Sequence, residues 1–122
     1  MIIIIDNTKN LEQAKMTPKI ISVLIDQNIK YLIISNRTQL IDIINKNINI
    51  LGIILSGGPL CLSNGCNYDD ISKNILALNI FKNTPILGIC FGFQIICDIY
   101  GAKIKKLKTP NNNIQNLQNK VT

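Results

Sequence analysis

The stretch that decides the fold is Pro85–Gln94, which reads PILGICFGFQ. An apolar run passes into Gly-x-Cys-x-Gly, and an amphipathic run follows. This pattern is typical of a nucleophile elbow, in which a buried strand ends at one strained residue and a helix begins directly after it. Gly88 and Gly92 suit such a turn because a side chain at either position would crowd it. We therefore predict that the Cys90 sulfur stands clear of the sheet at a helix N-terminus, where the helix dipole favours the thiolate.

Length and composition indicate a single domain inside a cell. The chain has 122 residues, enough to bury one core, and 47% of them are hydrophobic while only 16% are charged. No apolar run reaches the roughly 18 residues of a membrane helix. The run that starts at Met1 lacks the basic residues and the length of a secretory signal. We expect a cytoplasmic protein with no membrane contact and with its four cysteines reduced.

The net charge of +6 raises the question of an anionic partner. Four lysines lie near the C-terminus, at positions 103, 105, 106 and 108. They fit either a nucleic-acid contact or a solvated edge strand protected by charge. We favour the strand and expect no nucleic acid, because no aromatic residues interleave and Arg37 is the only arginine. Cys61 and Cys66 have no CxxC pair and no histidine beside them, so neither a metal nor a cofactor is expected.

Hydrophobic patterning predicts strands and helices in alternation. Four apolar runs are expected to form buried parallel strands: Ile2–Ile5, Tyr31–Ile34, Ile50–Leu55 and Ile86–Ile89. Four segments with helical spacing or helix-start signals follow them: one beginning at Thr17-Pro18, Thr38–Asn45, one from Asp69-Asp70 to Leu78, and Phe91–Tyr100 with Gly101 as its stop. The expected fold class is therefore α/β, a flavodoxin-like parallel sheet with helices on both faces.

Sites in such sheets form beyond the C-terminal ends of the strands. Asp6-Asn7, Ser56–Pro59 and Cys90 each follow a predicted strand, so we expect them to meet at one edge of the sheet. Ala102–Leu107 is a candidate fifth strand. Residues 109–122 are rich in Asn and Gln, and we expect a folded domain over 1–108 followed by a low-complexity tail over 109–122.

A cysteine that attacks an amide needs a general base, a group that orients the base, and donors for the oxyanion. The backbone N–H of Phe91 and an N–H from Gly57-Gly58 are candidate donors. Gln94, one turn into the helix, is a candidate substrate contact. Taken singly, a Gly-Gly turn, a buried cysteine and a surface glutamine are ordinary structural features. Their combination in this order is what favours an active site.

Together these motifs resemble class I glutamine amidotransferase domains. The resemblance is carried by Met1–Asp6, the loop Ile54–Pro59 and Pro85–Gln94, and it spans about residues 1–107. The Ser-Gly-Gly-Pro form of the loop is most similar to the amidotransferase domain of GMP synthases. The resemblance implies that the elbow cysteine attacks the side-chain amide of glutamine and releases ammonia for a synthetase partner. It also implies roles by position: Cys90 as nucleophile, Gly58 and Phe91 as oxyanion donors, Gly57 and Gln94 as substrate contacts.

The chain departs from the family pattern in its later catalytic residues. Members carry a histidine and an orienting glutamate well after the elbow, whereas this chain has no histidine and its only glutamate is Glu12. The resemblance thus implies a truncated, N-terminal part of the domain, complemented by a C-terminal half or a synthetase subunit. Because a positioned base contributes roughly 10²–10⁴ in rate, we expect the chain alone to be a poor glutaminase.

Two other interpretations stay open. One is a catalytically inactive amidotransferase-like protein that binds a partner or a γ-glutamyl ligand. The other is a generic flavodoxin-like module with a reactive thiol, since fold alone does not define function. A partial domain is also expected to expose sheet edge and apolar faces, which predicts marginal stability or an obligatory partner.

Overall fold

The computed structural model describes residues 1–8, 17–57 and 68–105. Its elements follow the expected alternation: β1 (Ile2–Ile5), α1 (Thr17–Asp26), β2 (Tyr31–Ile34), α2 (Arg37–Asn45), β3 (Gly52–Leu55), α3 (Tyr68–Ile80), β4 (Ile86–Gly88) and α4 (Phe91–Ile99). Each agrees with the sequence prediction within about two residues, the usual uncertainty of an element end. The candidate fifth strand is not formed over 102–105, and its remaining residues lie outside the described part of the chain. The expected tail at 109–122 lies outside it as well.

The four strands form one parallel sheet in the order β2-β1-β3-β4. Ile5, the last residue of β1, pairs with Ile34 of β2 and with Leu55 of β3. Leu55 in turn pairs with Gly88 of β4. The strands therefore end level with one another, and the residues that follow them share one carboxyl edge. This confirms the prediction of adjacent parallel strands.

The strand order determines which helix covers which face. The connection from β1 to β2 runs in one direction along the sheet, and the connections from β2 to β3 and from β3 to β4 run in the other. Since such crossovers are right-handed, α1 lies on one face and α2 and α3 lie on the opposite face. Contacts of α3 with both α2 and α4 agree with this layering. The direction changes between β1 and β3, the point at which sheets of this kind open a crevice for ligands.

The main core lies between the sheet and the layer formed by α2, α3 and α4. Its buried members come from alternate positions of three strands and from α2 and α3: Ile3, Ile5, Ile34, Leu40, Ile43, Ile53, Leu55 and Ala77. Each fully buried Ile or Leu side chain contributes about 1.5–3 kcal/mol relative to an exposed one. This burial fixes the sheet and thereby the position of its carboxyl edge.

The other face of the sheet is covered unevenly. Ile4, Ile54 and Leu87 occupy paired positions across β1, β3 and β4. Ile4 is fully buried, Ile54 is half-buried, and Leu87 is 57% exposed. Apolar side chains on this face of the sheet are therefore more exposed from β1 toward β4, in line with the expectation of exposed apolar surface. Within the described ranges no helix is both long and apolar enough to cross a bilayer.

Three helices end through a residue with positive φ. Asn28, Asn47 and Gly101 have φ values of 59°, 53° and 94°. At the end of α4 the Gly101 N–H donates to Asp98 O (3.0 Å) and the Ala102 N–H donates to Cys97 O (2.9 Å). This pair of bonds is a Schellman motif, and it confirms Gly101 as the stop of α4.

Candidate active site

The connection between β4 and α4 consists of only two residues, Ile89 and Cys90. Its backbone has φ 51° and ψ −109°, a combination that L-residues rarely adopt. The Gly92 N–H donates to Ile89 O at 3.0 Å and the Gln94 N–H donates to Cys90 O at 3.0 Å, so the chain turns and enters the helix at once. The Cys90 thiol is free and exposed. The sequence prediction of a strained corner directly before a helix is thus met in the backbone.

The two flanking glycines are required by contacts on opposite sides of this turn. A Cβ at Gly92 would lie 2.3 Å from the Leu55 carbonyl oxygen, which belongs to the backbone of β3. A Cβ at Gly88 would lie 2.8 Å from the backbone of Gly92 and Phe93. Neither position has room for a side chain, because backbone atoms cannot move aside as a flexible side chain would. The glycines therefore let α4 begin against the end of β3.

The segment Ser56–Pro59, called the glycine loop below, begins at the end of β3, and β3 is the strand next to the Cys90 turn. The Ile89 N–H donates to Leu55 O at 3.0 Å, so the pairing of β3 with β4 continues to the residue before Cys90. Ser56 and Gly57 follow Leu55 and are both buried. Adjacent strands lie about 4.8 Å apart, so Gly57 leaves the sheet next to the turn. Gly58, the predicted oxyanion donor of this loop, lies outside the described residues.

The remaining predicted residues lie in the first turn of α4. Phe91 is its first residue, and the phenyl ring is buried at 1% exposure. The Phe91 N–H has no acceptor among the described residues, as expected of the first N–H groups of a helix. Gln94 is half-buried one turn further on. The structure thus gathers Cys90, Phe91 and Gln94 at one helix N-terminus beside Gly57.

A buried polar cluster lies under the carboxyl edge, and sequence reasoning did not identify all of it. Asp6 Oδ1 accepts hydrogen bonds from the Thr8 N–H (3.2 Å), the Thr8 hydroxyl (2.8 Å) and the Thr17 hydroxyl (3.2 Å). The Lys73 ammonium, on α3, donates to Asp6 O and to Ser35 O (3.1 Å). These bonds join the ends of β1 and β2 to α1 and α3.

Asn7 connects this cluster to the glycine loop. Its backbone N–H donates to Ser56 Oγ (2.9 Å), and its Nδ2 donates to Ser56 O (2.8 Å) and to Asn74 Oδ1 (3.0 Å). Asn74 Nδ2 donates back to Asn7 Oδ1 at 2.7 Å. Asn74 on α3 was missed, because nothing distinguishes one buried amide in a sequence with asparagines throughout.

No group of three or more His, Cys, Asp or Glu that could hold a metal occurs in the part of the chain that the structure describes.

Comparison with known proteins agrees with this architecture. The family model for class I glutamine amidotransferases matches residues 4–121. The chain therefore belongs to the class I glutamine amidotransferase family, and its four-stranded parallel sheet with four helices is consistent with the flavodoxin-like fold of that family.

Within the family, similar proteins include GMP synthases. The chain is 40% identical over 92 residues to a subunit of the glutamine-hydrolysing GMP synthase of Methanococcus vannielii, covering 70% of this chain and 43% of that protein. It is 46% identical over 72 residues to the corresponding subunit of Pyrococcus abyssi, covering 59% and 35%. It is 48% identical over 56 residues to the GMP synthase of Wolbachia sp. subsp. Brugia malayi, covering 45% and 11%. The chain spans less than half the length of these relatives.

Proposed function

We propose that this chain carries the nucleophile half of a glutaminase site, in which Cys90 attacks the side-chain amide of glutamine. The observation that carries the proposal is the backbone of Cys90, strained at φ 51° and ψ −109° between β4 and α4. A residue in this conformation costs about 1–3 kcal/mol and persists where the surroundings enforce it, often at functional sites. Together with the two obligatory glycines, it has the strand–turn–helix form of a nucleophile elbow.

The proposed reaction begins when the Cys90 thiolate bonds to the δ-carbon of glutamine and the carbonyl oxygen becomes an oxyanion. The Phe91 N–H, which has no acceptor within the described ranges, and the N–H of Gly58 would stabilise that oxyanion. The carbon–nitrogen bond then breaks, and the nitrogen leaves as ammonia after gaining a proton. Water hydrolyses the glutamyl thioester to glutamate and restores the thiol. Gly57 and Gln94 are proposed to contact the bound glutamine.

The proton transfers need a partner group. The sequence contains no histidine, so the usual base of a cysteine nucleophile has no candidate among these 122 residues. We propose that the base comes from further polypeptide, and that the ammonia passes to a synthetase, as the names of the GMP synthase relatives suggest. The exposed side chains of Leu87 and Phe93, each 57% exposed, supply apolar surface for such docking. A cytoplasmic location is also proposed, since a nucleophilic thiol must stay reduced.

A second candidate function follows from the same lack of histidine. In that case the chain binds a γ-glutamyl ligand or a protein partner through the same edge of the sheet and catalyses nothing. The ligand-binding form of this candidate shares glutamine recognition next to Cys90 with the first, and the two differ in whether a γ-glutamyl carbonyl reacts there.

Site-directed labelling tests the proposal. The chain is treated with a chloromethyl ketone analogue of glutamine, whose methylene carbon bonds to the Cys90 sulfur as chloride leaves, and the modified peptide is identified by mass spectrometry. We expect slow modification of Cys90. Glutamine should protect Cys90 from modification, whereas asparagine should give no protection. Cys97→Ala is the matched control because Cys97 is also free but half-buried within α4.

Three outcomes decide between the interpretations. Labelling confined to Cys90 and prevented by glutamine supports the nucleophile assignment. Glutamine binding without modification of Cys90 favours the non-catalytic function. Labelling that glutamine does not affect, or that is spread evenly over the cysteines, contradicts glutamine recognition at this site and favours a generic reactive thiol.

A further inference from the structure

Asn74 is a polar side chain in a position where α3 otherwise presents apolar residues to the core. It is 0% exposed, as is Ala77 one turn later on the same helix. Burying an amide costs free energy unless hydrogen bonds replace those lost to water. Here they do, because the described structure holds no buried side-chain nitrogen or oxygen without a partner. A reciprocal amide pair with Asn7, with bonds of 2.7 and 3.0 Å, satisfies Asn74.

The partner of Asn74 is the residue that fixes Ser56. Asn7 binds Ser56 through two bonds, one to the hydroxyl oxygen and one to the carbonyl oxygen. The Ser56 hydroxyl, which accepts from the Asn7 N–H, donates in turn to Gly57 O at 3.2 Å. A hydroxyl has one proton to donate, so accepting from Asn7 leaves that proton for Gly57. The chain of bonds thus runs from α3 to the first glycine of the loop.

The direction of the Gly57 carbonyl matters because a peptide group is planar and trans. Holding the carbonyl oxygen toward Ser56 therefore sets the plane that this peptide group shares with the N–H of the next residue. In the proposed function, that N–H is one of the two donors to the oxyanion. The Cys90 turn is fixed separately, by its own hydrogen bonds and by the contact of Gly92 with β3.

We infer that Asn74 is a positioning residue: through Asn7 and Ser56 it sets the direction of the Gly57 carbonyl and hence the peptide plane that begins the glycine loop beside Cys90. The inference deepens the proposed function and rests on it for the role of the loop. It also makes a separate structural claim, namely that a change on α3 reorients Ser56 and Gly57 at the end of β3 while the Cys90 turn stays in place.

The test compares two electrophiles on the full chain. The chloromethyl ketone analogue of glutamine needs the loop to bind its carbonyl, whereas iodoacetamide needs only an accessible thiol. Asn74→Asp keeps the size and one acceptor of Asn74 but sets a carboxylate against Asn7 Oδ1, which breaks the reciprocal pair. Asn79→Asp is the matched control, because it makes the same substitution at an exposed position of the same helix.

We expect Asn74→Asp to slow labelling of Cys90 by the glutamine analogue about 10-fold or more, since losing an oxyanion donor costs about 10²–10³ in rate. The iodoacetamide rate should stay within about twofold, because the thiol environment is unchanged. Both rates should be unchanged in Asn79→Asp. If Asn74→Asp does not fold, Ser56→Ala tests the same relay, since it removes only the hydroxyl between Asn7 and Gly57. Equal loss of both rates, or loss of neither, overturns the inference.

Backbone NMR separates failure of the inference from failure of the proposed function. Asn74→Asp should shift the amide resonances of Ser56 and Gly57 and leave that of Gln94 in place. If the unmodified chain shows no glutamine-dependent labelling, the proposed function fails, and the positioning claim still stands or falls on these shifts. Unmoved Ser56 and Gly57 resonances in a folded Asn74→Asp variant contradict the positioning claim.

Discussion

Gly92→Ala is expected to destabilise the chain by about 2 kcal/mol, although alanine is the better helix former. Gly92 is the second residue of α4, so replacement of Gly by Ala is worth at most the value for a helix interior, about 1 kcal/mol in favour of folding. Against this, the new Cβ would stand 2.3 Å from Leu55 O, 2.6 Å from Leu55 Cβ and 2.7 Å from Leu55 C. Two of these atoms are backbone of β3, so α4 itself must move. Overpacking of this kind costs about 3 kcal/mol at the upper end of its usual range.

The assay is equilibrium denaturation by urea, with the free energy of unfolding compared between variants. Gly101→Ala serves as the control, because Gly101 has φ 94° and no atom within 4 Å of the new Cβ. Its cost comes from backbone conformation alone, about 1–2 kcal/mol. The Gly92→Ala chain should also lose labelling by the glutamine analogue, since displacing a reacting group by about 1 Å costs about 10²-fold. A Gly92→Ala variant as stable as the unmodified chain would refute the close packing of α4 on β3.

Three further predictions concern the strain at Cys90, the start of α2 and turnover. Cys90→Gly should stabilise the chain by about 1 kcal/mol, whereas Cys90→Ala should leave the free energy of unfolding nearly unchanged, because only glycine relieves the strain at φ 51°. Thermal denaturation compares the two variants, and equal melting temperatures would argue against strain. Asn36→Ala should cost about 1 kcal/mol by urea denaturation, because Asn36 Oδ1 caps α2 by accepting from the Gln39 N–H at 2.9 Å; a loss below the error of the assay would contradict that cap. Steady glutamine hydrolysis by the 122-residue chain should be near background in an ammonia-release assay, because the chain has no histidine. The rate should rise only when the remaining length of an amidotransferase domain docks in trans. Robust turnover by the chain alone that Cys90→Ala abolishes would contradict the dependence on an external base.

The sheet and the Cys90 turn were predictable because their signals are local. Four apolar runs define the strands, and Gly-x-Cys-x-Gly defines a turn that only glycine permits on both sides. The strand ends then bring Asp6, Ser56 and Cys90 to one edge without further assumptions. The described part of the candidate fifth strand, 102–105, is not a strand. A short run with lysines at 103, 105 and 106 does not reveal whether the sheet has a strand for it to pair with.

The links between elements were not predictable. Asn74 and Lys73 reach the carboxyl edge from α3, and each lies 67 residues along the chain from its partner, Asn7 or Asp6. A buried Asn and an exposed Asn look alike in a sequence with asparagines throughout, because the residue type alone does not reveal burial. Only the fold shows that the buried Asn74 binds Asn7, the second residue after β1. The site roles remain predictions: Cys90 as nucleophile, Gly58 and Phe91 as oxyanion donors, and Gly57 and Gln94 as substrate contacts.

The central claim, that Cys90 attacks a γ-glutamyl carbonyl, is tested most directly by trapping the acyl intermediate. γ-Glutamyl hydroxamate suits this test because hydroxylamine is a weaker base than ammonia and leaves with less help from a proton donor. The chain is incubated with the hydroxamate, quenched in acid, and digested for mass spectrometry. The account predicts one glutamyl group on the peptide that carries Cys90, retained in Cys97→Ala and absent in Cys90→Ala. A chain that binds the hydroxamate but carries no glutamyl group, or one that carries it in Cys90→Ala, would contradict the account.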